Sequence, residues 1–394
     1  MNILIPKNVE FLLERLQTNG HSAYIVGGCL RDLLLKKTPK DWDICTSAKP
    51  LETQEIFKEH KLVLSGLKHG TVAVILEHEV YEITTFRIDG EYENSRRPKD
   101  VSFTSDIKED LARRDFSINA MAYNKNESLI DCFEGEKDLT NKLINCVGVP
   151  EKRFSEDALR ILRALRFASV YSFDIESETQ KQIKLLKNTL KNISKERINT
   201  EFSKLLLGEN ATVILRNYAE VFEVFLPEID FLNEKAISFL EKSSDNLSQK
   251  LAILFCYAGK KIEIDTENIL KNLKYDNKTV SETSFLSKNF TTKIGKTKPE
   301  IKRFLRDFGI KKTRSLFEFK LLENENIYLV LLEEIIKNNE CFCIKDLRIT
   351  GKDLINLGYK SGENIGEKLN FLLDMVIEEK LENNKEKLIN FLLN

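Results

Sequence analysis

Two hydrophobic periodicities divide this chain and limit what it can fold into. Up to about residue 145 the apolar residues come in short runs, "AYIVGG", "WDIC", "TVAVILE" and "EVYEITTF", rich in β-branched and aromatic side chains. Such runs read as strands. "CLRDLLL" and "LETQEIFKEH" between them read as helices. From Glu156 the spacing becomes helical almost to the C-terminus, with few glycines or prolines to interrupt it. The expected fold class is therefore α+β, an N-terminal domain of strands and helices followed by an all-helical remainder. A chain of 394 residues has room for roughly two to four domains. No apolar run approaches the roughly 20 residues of a membrane span. The N-terminus has neither a basic leader nor a small-residue cleavage site, so a cytoplasmic protein without membrane partners is expected. The seven cysteines lack metal-type spacing, Cys341 and Cys343 forming only a lone C-x-C, and read as reduced thiols.

The chemistry starts in "YIVGGCLRDLLLKKTPKDWDIC", Tyr24 to Cys45. On a strand, residues two apart share a face, so Asp41 and Asp43 are expected to project together with Trp42 turned away. Two adjacent carboxylates repel and raise each other's pKa. A divalent cation relieves that, and oxygen ligands on one open edge suit Mg²⁺. Two such ions can clamp an in-line phosphoryl displacement. Read alone, the D-x-D fits a solvated strand end better than a metal site. Upstream, Gly27 and Gly28 close a strand and open a helix, where backbone approaches closely and N–H groups face phosphate oxygens. Arg31 adds a charge-assisted contact for a triphosphate.

"GGCLRDLLLKKTPKDWDI" resembles the signature of nucleotidyltransferases of the DNA polymerase β superfamily, and more narrowly the class II tRNA nucleotidyltransferases, the CCA-adding enzymes, with their bacterial poly(A) polymerase relatives. Lys37 departs from the pattern, since many members carry glycine there. Three further blocks extend the resemblance. Glu82, in "EVYEITTF", matches a carboxylate the family places beside the aspartate pair, its plainer reading being a cross-strand partner of Arg87. "DGEYENSRRP" matches the flexible loop of complete CCA-adding enzymes. "EDLARRDFSINAMAY" matches the family's R-R-D-F-T-I-N-A block, implying a nucleotide contact for Arg114 and sugar-pocket roles for Asp115 and Asn119. Asp131 and Asp138 read as structural.

"RFSEDALRILRALRF" follows. Ser155 is expected to cap a helix with Glu156 and Asp157 in its first turn. Asp157, Arg160, Arg163 and Arg166 recur every third residue, so the row drifts about 60° per step and its ends cannot converge on one point. Asp157 and Arg160 can read one base edge, while Arg163 and Arg166 should lie farther along, towards phosphates or primer. The resemblance assigns Asp157 and Arg160 to selection of the incoming base. A carboxylate accepts from the exocyclic amine that C and A share, and a guanidinium donates to ring acceptors. Arg197 and Glu201 in "SKERINTEFSKLL" read as an i,i+4 pair shaping the nucleotide helix.

Net charge is −1, so an RNA-binding surface must concentrate its positive charge locally. Lys293 to Arg314 holds nine Lys/Arg against two acids, a candidate RNA-backbone surface or a solvated helix face. Gly351 to Asn394, with six Lys and eight acids, is a weaker one; it resembles the tRNA-gripping tail of Gram-positive-type class II enzymes, where Gly358, Gly362 and Gly366 would admit phosphates, a packing role being the alternative. The resemblance implies a polymerase-β-like head with a small mixed sheet at 1–145, then an elongated all-helical neck at 146–210, body at 211–340 and tRNA-binding tail at 341–394. It implies Mg²⁺, with Asp41 and Asp43 as metal ligands and Asp41, Asp43 and Glu82 catalytic; Gly27, Gly28, Arg31 and the later arginines would hold the nucleotide. CTP, ATP and tRNA are the expected substrates and partners, with a homodimer as one assembly. The expected activity is template-independent CCA addition and repair. A-only or CC-only addition, or poly(A) synthesis on the same scaffold, are the alternatives; a non-catalytic RNA-binding protein would be expected to have lost the carboxylates.

Overall fold

The β-branched runs form strands where their composition places them. The computed structural model describes residues 3–90, 92–93, 97–98, 101–260, 264–323, 326–359 and 363–393. The chain divides into two units, Met1–Leu232 with Asn272–Lys274, and Asn233–Lys271 with Tyr275–Asn394.

The first unit opens with helix α1 (Lys7–Thr18), then strand β1 (Ala23–Val26), α2 (Gly28–Leu34), β2 (Asp43–Thr46) and α3 (Pro50–Ile56). Strands β3 (Lys61–Val63), β4 (Thr71–Leu76) and β5 (Glu79–Thr85) follow. A small hairpin of β6 (Arg87–Asp89) with β7 (Val101–Phe103) flanks the stretch expected to be a flexible loop, 89–98, of which residues 91 and 94–96 lie outside the described residues. After α4 (Ile107–Ala112) come β8 (Met121–Asn124), β9 (Ser128–Asp131) and α5 (Gly135–Thr140). Among the described residues one mixed sheet forms, ordered β9-β8-β1-β2-β5-β4-β3, with β2 and β5 its parallel pair. Beneath the end of β1 and β2, Tyr24, Val26, Cys45, Phe86, Leu111 and Ala122 make a buried cluster. That cluster fixes the strand ends from which the site projects. Asp131 accepts from the backbone N–H groups of Phe133, Gly135 and Glu136, and Asp138 from Ser117, which suits their reading as structural.

Beyond residue 145 the unit is almost wholly helical, with α6 (Pro150–Glu156), α7 (Leu159–Tyr171), α8 (Ser177–Leu186) and α9 (Lys195–Leu206). The second unit is helical as well, and its C-terminal part has its own core, including Leu354, Leu372, Leu373, Ile377 and Leu388. The basic stretch Lys293–Arg314 lies largely on the helix Lys298–Lys320, which is kinked at Gly309. Lys298, Lys302, Arg303, Arg306, Lys311 and Arg314 all pair with acids of the same unit. Most of its charge is therefore already neutralised locally. Gly358 has a left-handed φ of 95°, Gly366 lies within a helix, and Gly362 is outside the described residues. Among the described residues no helix is long and apolar enough to cross a membrane.

Candidate active site

Gly27 ends β1 at φ 71°, a conformation that favours glycine. A Cβ there would meet Arg114 Nη1 at 3.0 Å and Asp43 Oδ2 at 3.7 Å. The glycine thus lets a cation and a carboxylate crowd one turn. One helical turn on, Arg31 is buried at the end of a fixed set of bonds. Its Nη1 donates to Asn119 Oδ1 at 2.6 Å, and its Nε and Nη2 donate to Asp32 Oδ1 at 3.0 and 2.8 Å.

Asp43 is the first residue of β2, whereas Asp41 lies in the bend before the strand. Strand alternation therefore does not set Asp41's direction; the bend does, and both carboxylates still face one cavity. Neither forms an ion pair with a described residue. Crowding by protein atoms raises the Asp43 carboxyl above its ordinary value; Arg114 opposes this and the Asp41 charge adds to it. In the parallel pair Asp43 stands in register with Glu82. Glu82 is exposed and is not among the residues lining the cavity, and Arg87 pairs with Asp89 at 3.2 Å. Among the described residues there is no group of three or more His, Cys, Asp or Glu side chains that could hold a metal.

The R-R-D block is organised by an acid that the sequence reading passed over. Asp110, fully buried, accepts from Arg113 Nη2 at 2.8 Å and Arg114 Nη2 at 3.2 Å. Burial works to raise its carboxyl, but the two guanidiniums outweigh that and hold it below the usual range. Removing one partner of such a buried set strands the others without a counter-charge. Asp110→Ala should therefore cost about 3 kcal/mol of stability at neutral pH, measured by urea unfolding. A depressed carboxyl stabilises the fold above its unfolded value and loses that contribution as pH falls. The gap between wild type and variant should accordingly close below about pH 4.

Asp115 and Asn119 form the next layer. Asp115 accepts from Asn119 Nδ2 at 3.1 Å and from Arg163 at 2.5 Å, and Arg163 with Asn119 and Arg160 drives its carboxyl well below the usual range despite its burial.

The Ser155 cap is corrected. A helix ends there rather than begins, with Ser155 Oγ donating back to Glu151 O. Asp157 is extended (φ −141°, ψ 102°) and its Oδ1 accepts from Leu159 N–H at 3.1 Å, so it caps the start of α7. Arg160, Arg163 and Arg166 then follow on α7, and all four members of the row line the same cavity. Each has its own anchor. Arg160 donates to Glu156 at 2.6 Å and to Arg113 O at 3.1 Å; Arg166 pairs with Glu201 at 2.8 Å. The i,i+4 pair on α9 is corrected too: Arg197 reaches Asp157 at 2.6 Å and Glu201 reaches Arg166, so both cross to the α6–α7 segment.

The cavity measures about 650 Å³, well within the range of small-molecule sites. Gly27, Gly28, Arg31, Asp41, Asp43, Arg114, Asp115, Asn119 and the Asp157–Arg166 row all line it, and Glu82 alone of the expected site residues does not. Arginines outnumber aspartates along the wall, which favours a polyanion. Sequence reasoning missed Arg87, Arg113, Thr84 and Phe167, all lining residues. Phe167 lies under the Arg166 guanidinium at 4.0 Å. Its only sequence signal was its place among the arginines of one helix.

Residues 23–145 match the poly A polymerase head domain family, 172–232 the family of the polymerase A RNA- and SrmB-binding site, and 244–392 tRNA nucleotidyltransferase domain 2. The CCA-adding enzyme of Pediococcus pentosaceus is 35% identical over 393 residues, covering 98% of this chain and 96% of that one. That of Bacillus subtilis is 35% identical, with 93% and 92% covered. Among solved structures, the Bacillus stearothermophilus CCA-adding enzyme in complex with CTP superposes with a TM-score of 0.81 at 29% identity, covering 99% of this chain and 98% of that one.

Proposed function

This chain belongs to the CCA-adding enzymes, and from that membership we propose that it adds and repairs the 3′-terminal CCA of tRNA from CTP and ATP, without a nucleic-acid template, releasing pyrophosphate. One observation carries the reading. A single arginine-walled cavity of nucleotide size holds an unpaired carboxylate pair, Asp41 and Asp43, together with Asp157 and Arg160. Bond-making and base-reading chemistry thus share one site.

The primer's 3′-hydroxyl attacks the α-phosphate of the incoming nucleotide and the pyrophosphate leaves with the broken P–O bond. The unpaired Asp41 and Asp43 carboxylates, with Asp43 raised by burial and by the Asp41 charge, fit a hard divalent cation. They would hold Mg²⁺, which when bound neutralises charge at the phosphates and lowers the pKa of the attacking hydroxyl. Glu82, in register with Asp43, is assigned to support the pair. Arg31 and Arg114 bind the triphosphate, Asp115 and Asn119 line the sugar pocket, and Gly27 and Gly28 let backbone approach. Asp157 accepts from the exocyclic amine of C or A, and Arg160 donates to ring acceptors. Arg163 and Arg166 complete the cationic wall. Residues 1–145 are assigned as head, 146–210 as nucleotide-selecting neck, 211–340 as body and 341–394 as tail.

The test uses three RNAs, a tRNA ending before CCA, a tRNA ending in CC and an unrelated RNA, each with labelled CTP or ATP. Addition of CCA to the first and A to the second is expected. Addition of A to the second alone would identify an A-only enzyme, and long A tails on the third a poly(A) polymerase.

A further inference from the structure

We propose that Tyr171 and Phe167, on the face of α7 turned to α2, are positioning residues that hold Arg31 ready for the triphosphate. The inference rests on the reading of Arg31 as a triphosphate contact. Phe167 and Tyr171 are one helical turn apart and stack with ring centroids 6.1 Å apart. The Arg31 guanidinium carbon lies 5.0 Å from the Phe167 centroid and 4.8 Å from that of Tyr171. Tyr171 Oη donates to Asp32 Oδ1 at 2.9 Å, the same oxygen that takes both Arg31 bonds. Burial pushes the Tyr171 hydroxyl up to about 12, so it keeps the proton it donates.

An arginine has five N–H donors in a rigid fork. Asp32 takes the Nε donor and one from Nη2, and Asn119 takes one from Nη1. Among the described residues one donor is left on each terminal nitrogen, and a phosphate can accept from both. The aromatic pair and Asp32 thus fix the fork with its two remaining donors on the cavity wall. The same ring also reaches the segment leading to Asp41. Lys37, in the turn after α2, places its ammonium 4.8 Å from the Tyr171 centroid. Lys37 is also the position that departs from the family's usual glycine. An arginine held in advance loses less side-chain freedom on binding, and the gain does not depend on the base.

The test is steady-state kinetics of Tyr171→Leu, Tyr171→Phe, Arg31→Ala and the double variant Arg31→Ala/Tyr171→Leu. Tyr171→Leu should raise KM for CTP and ATP alike by about tenfold, the scale of a desolvated cation–π contact. KM for tRNA and the preference for CTP over UTP should stay unchanged. Tyr171→Phe keeps the ring, loses the bond to Asp32 and should show about a two- to threefold rise; it carries the same test should the leucine variant fail to fold. The double variant should be no worse than Arg31→Ala, because Tyr171 acts through Arg31. Full additivity, a proportional shift in tRNA KM, or an unchanged nucleotide KM in Tyr171→Leu would each overturn the proposal. If Arg31→Ala itself leaves nucleotide KM unchanged, the triphosphate reading of Arg31 fails and the proposal falls with it.

Discussion

Asp43→Asn is expected to lower nucleotide addition by about 10³-fold or more, with tRNA binding unchanged. The size follows from what the carboxylate pair is assigned to do. Lewis-acid stabilisation of a phosphoryl transfer is worth several kcal/mol, and each 1.36 kcal/mol is tenfold in rate. The asparagine keeps the shape of the side chain but not the charge that would retain a divalent cation. It also removes the charge that burial and the Asp41 carboxylate disfavour, so the folded state should be no less stable. Asp41→Ala, in an exposed bend, should abolish addition in the same way. Incorporation of labelled CTP reads the chemistry, and filter binding of tRNA reads the complex. Activity retained in both variants would remove the aspartates from the reaction. A loss of tRNA binding in step with activity would make them part of RNA recognition instead. Chelation of divalent ions should silence the wild type, and added Mg²⁺ should restore it.

How the site becomes legible in sequence depends on the range of the interaction involved. The glycine turn, α2 and the strand at Asp43 are local features, and local spacing was enough to find them; the R-R-D block came from the family resemblance. The break at Asp157 was found in neither way. The start of α7 was expected at Ser155, which instead lies in the last turn of α6, because apolar spacing alone does not show that Asp157 is extended between the two helices. What decides the break is a bond made across it, the Asp157 carboxylate on the Leu159 N–H.

Ion pairs failed for a related reason. Arg197 and Glu201 are neighbours on a helix surface, where such pairs contribute only tenths of a kcal/mol. Asp157 and Arg166 offer partly buried partners, and each member of the supposed pair turned to one of them. Asp110 shows the converse. In the sequence it is one acid in "KEDLARRD"; in the fold it has no exposure and holds two arginines at once. The basic stretch at Lys293–Arg314 was legible as charge but not as available charge, since the acids that neutralise it come from other segments.

Base selection gives the second large effect. Asp157→Ala removes the acceptor assigned to the exocyclic amine of C and A. A good contact to a base edge discriminates by about 1–3 kcal/mol, so kcat/KM for CTP should fall by about 10- to 100-fold. UTP, which has no such amine, should lose far less, and the CTP-over-UTP ratio should collapse by nearly the full factor. ATP over GTP should fall in parallel. The alanine also removes the cap on α7 and the partner of Arg197, a structural loss that all four nucleotides would feel equally. Arg197→Ala separates the two contributions, because it breaks the ion pair and leaves the carboxylate in place. It should weaken CTP and UTP use together and preserve their ratio. Equal losses for every nucleotide in Asp157→Ala would show that the residue only shapes the helix junction, and base selection would have to be sought at Arg160, whose guanidinium is tied to Glu156 and to the Arg113 carbonyl.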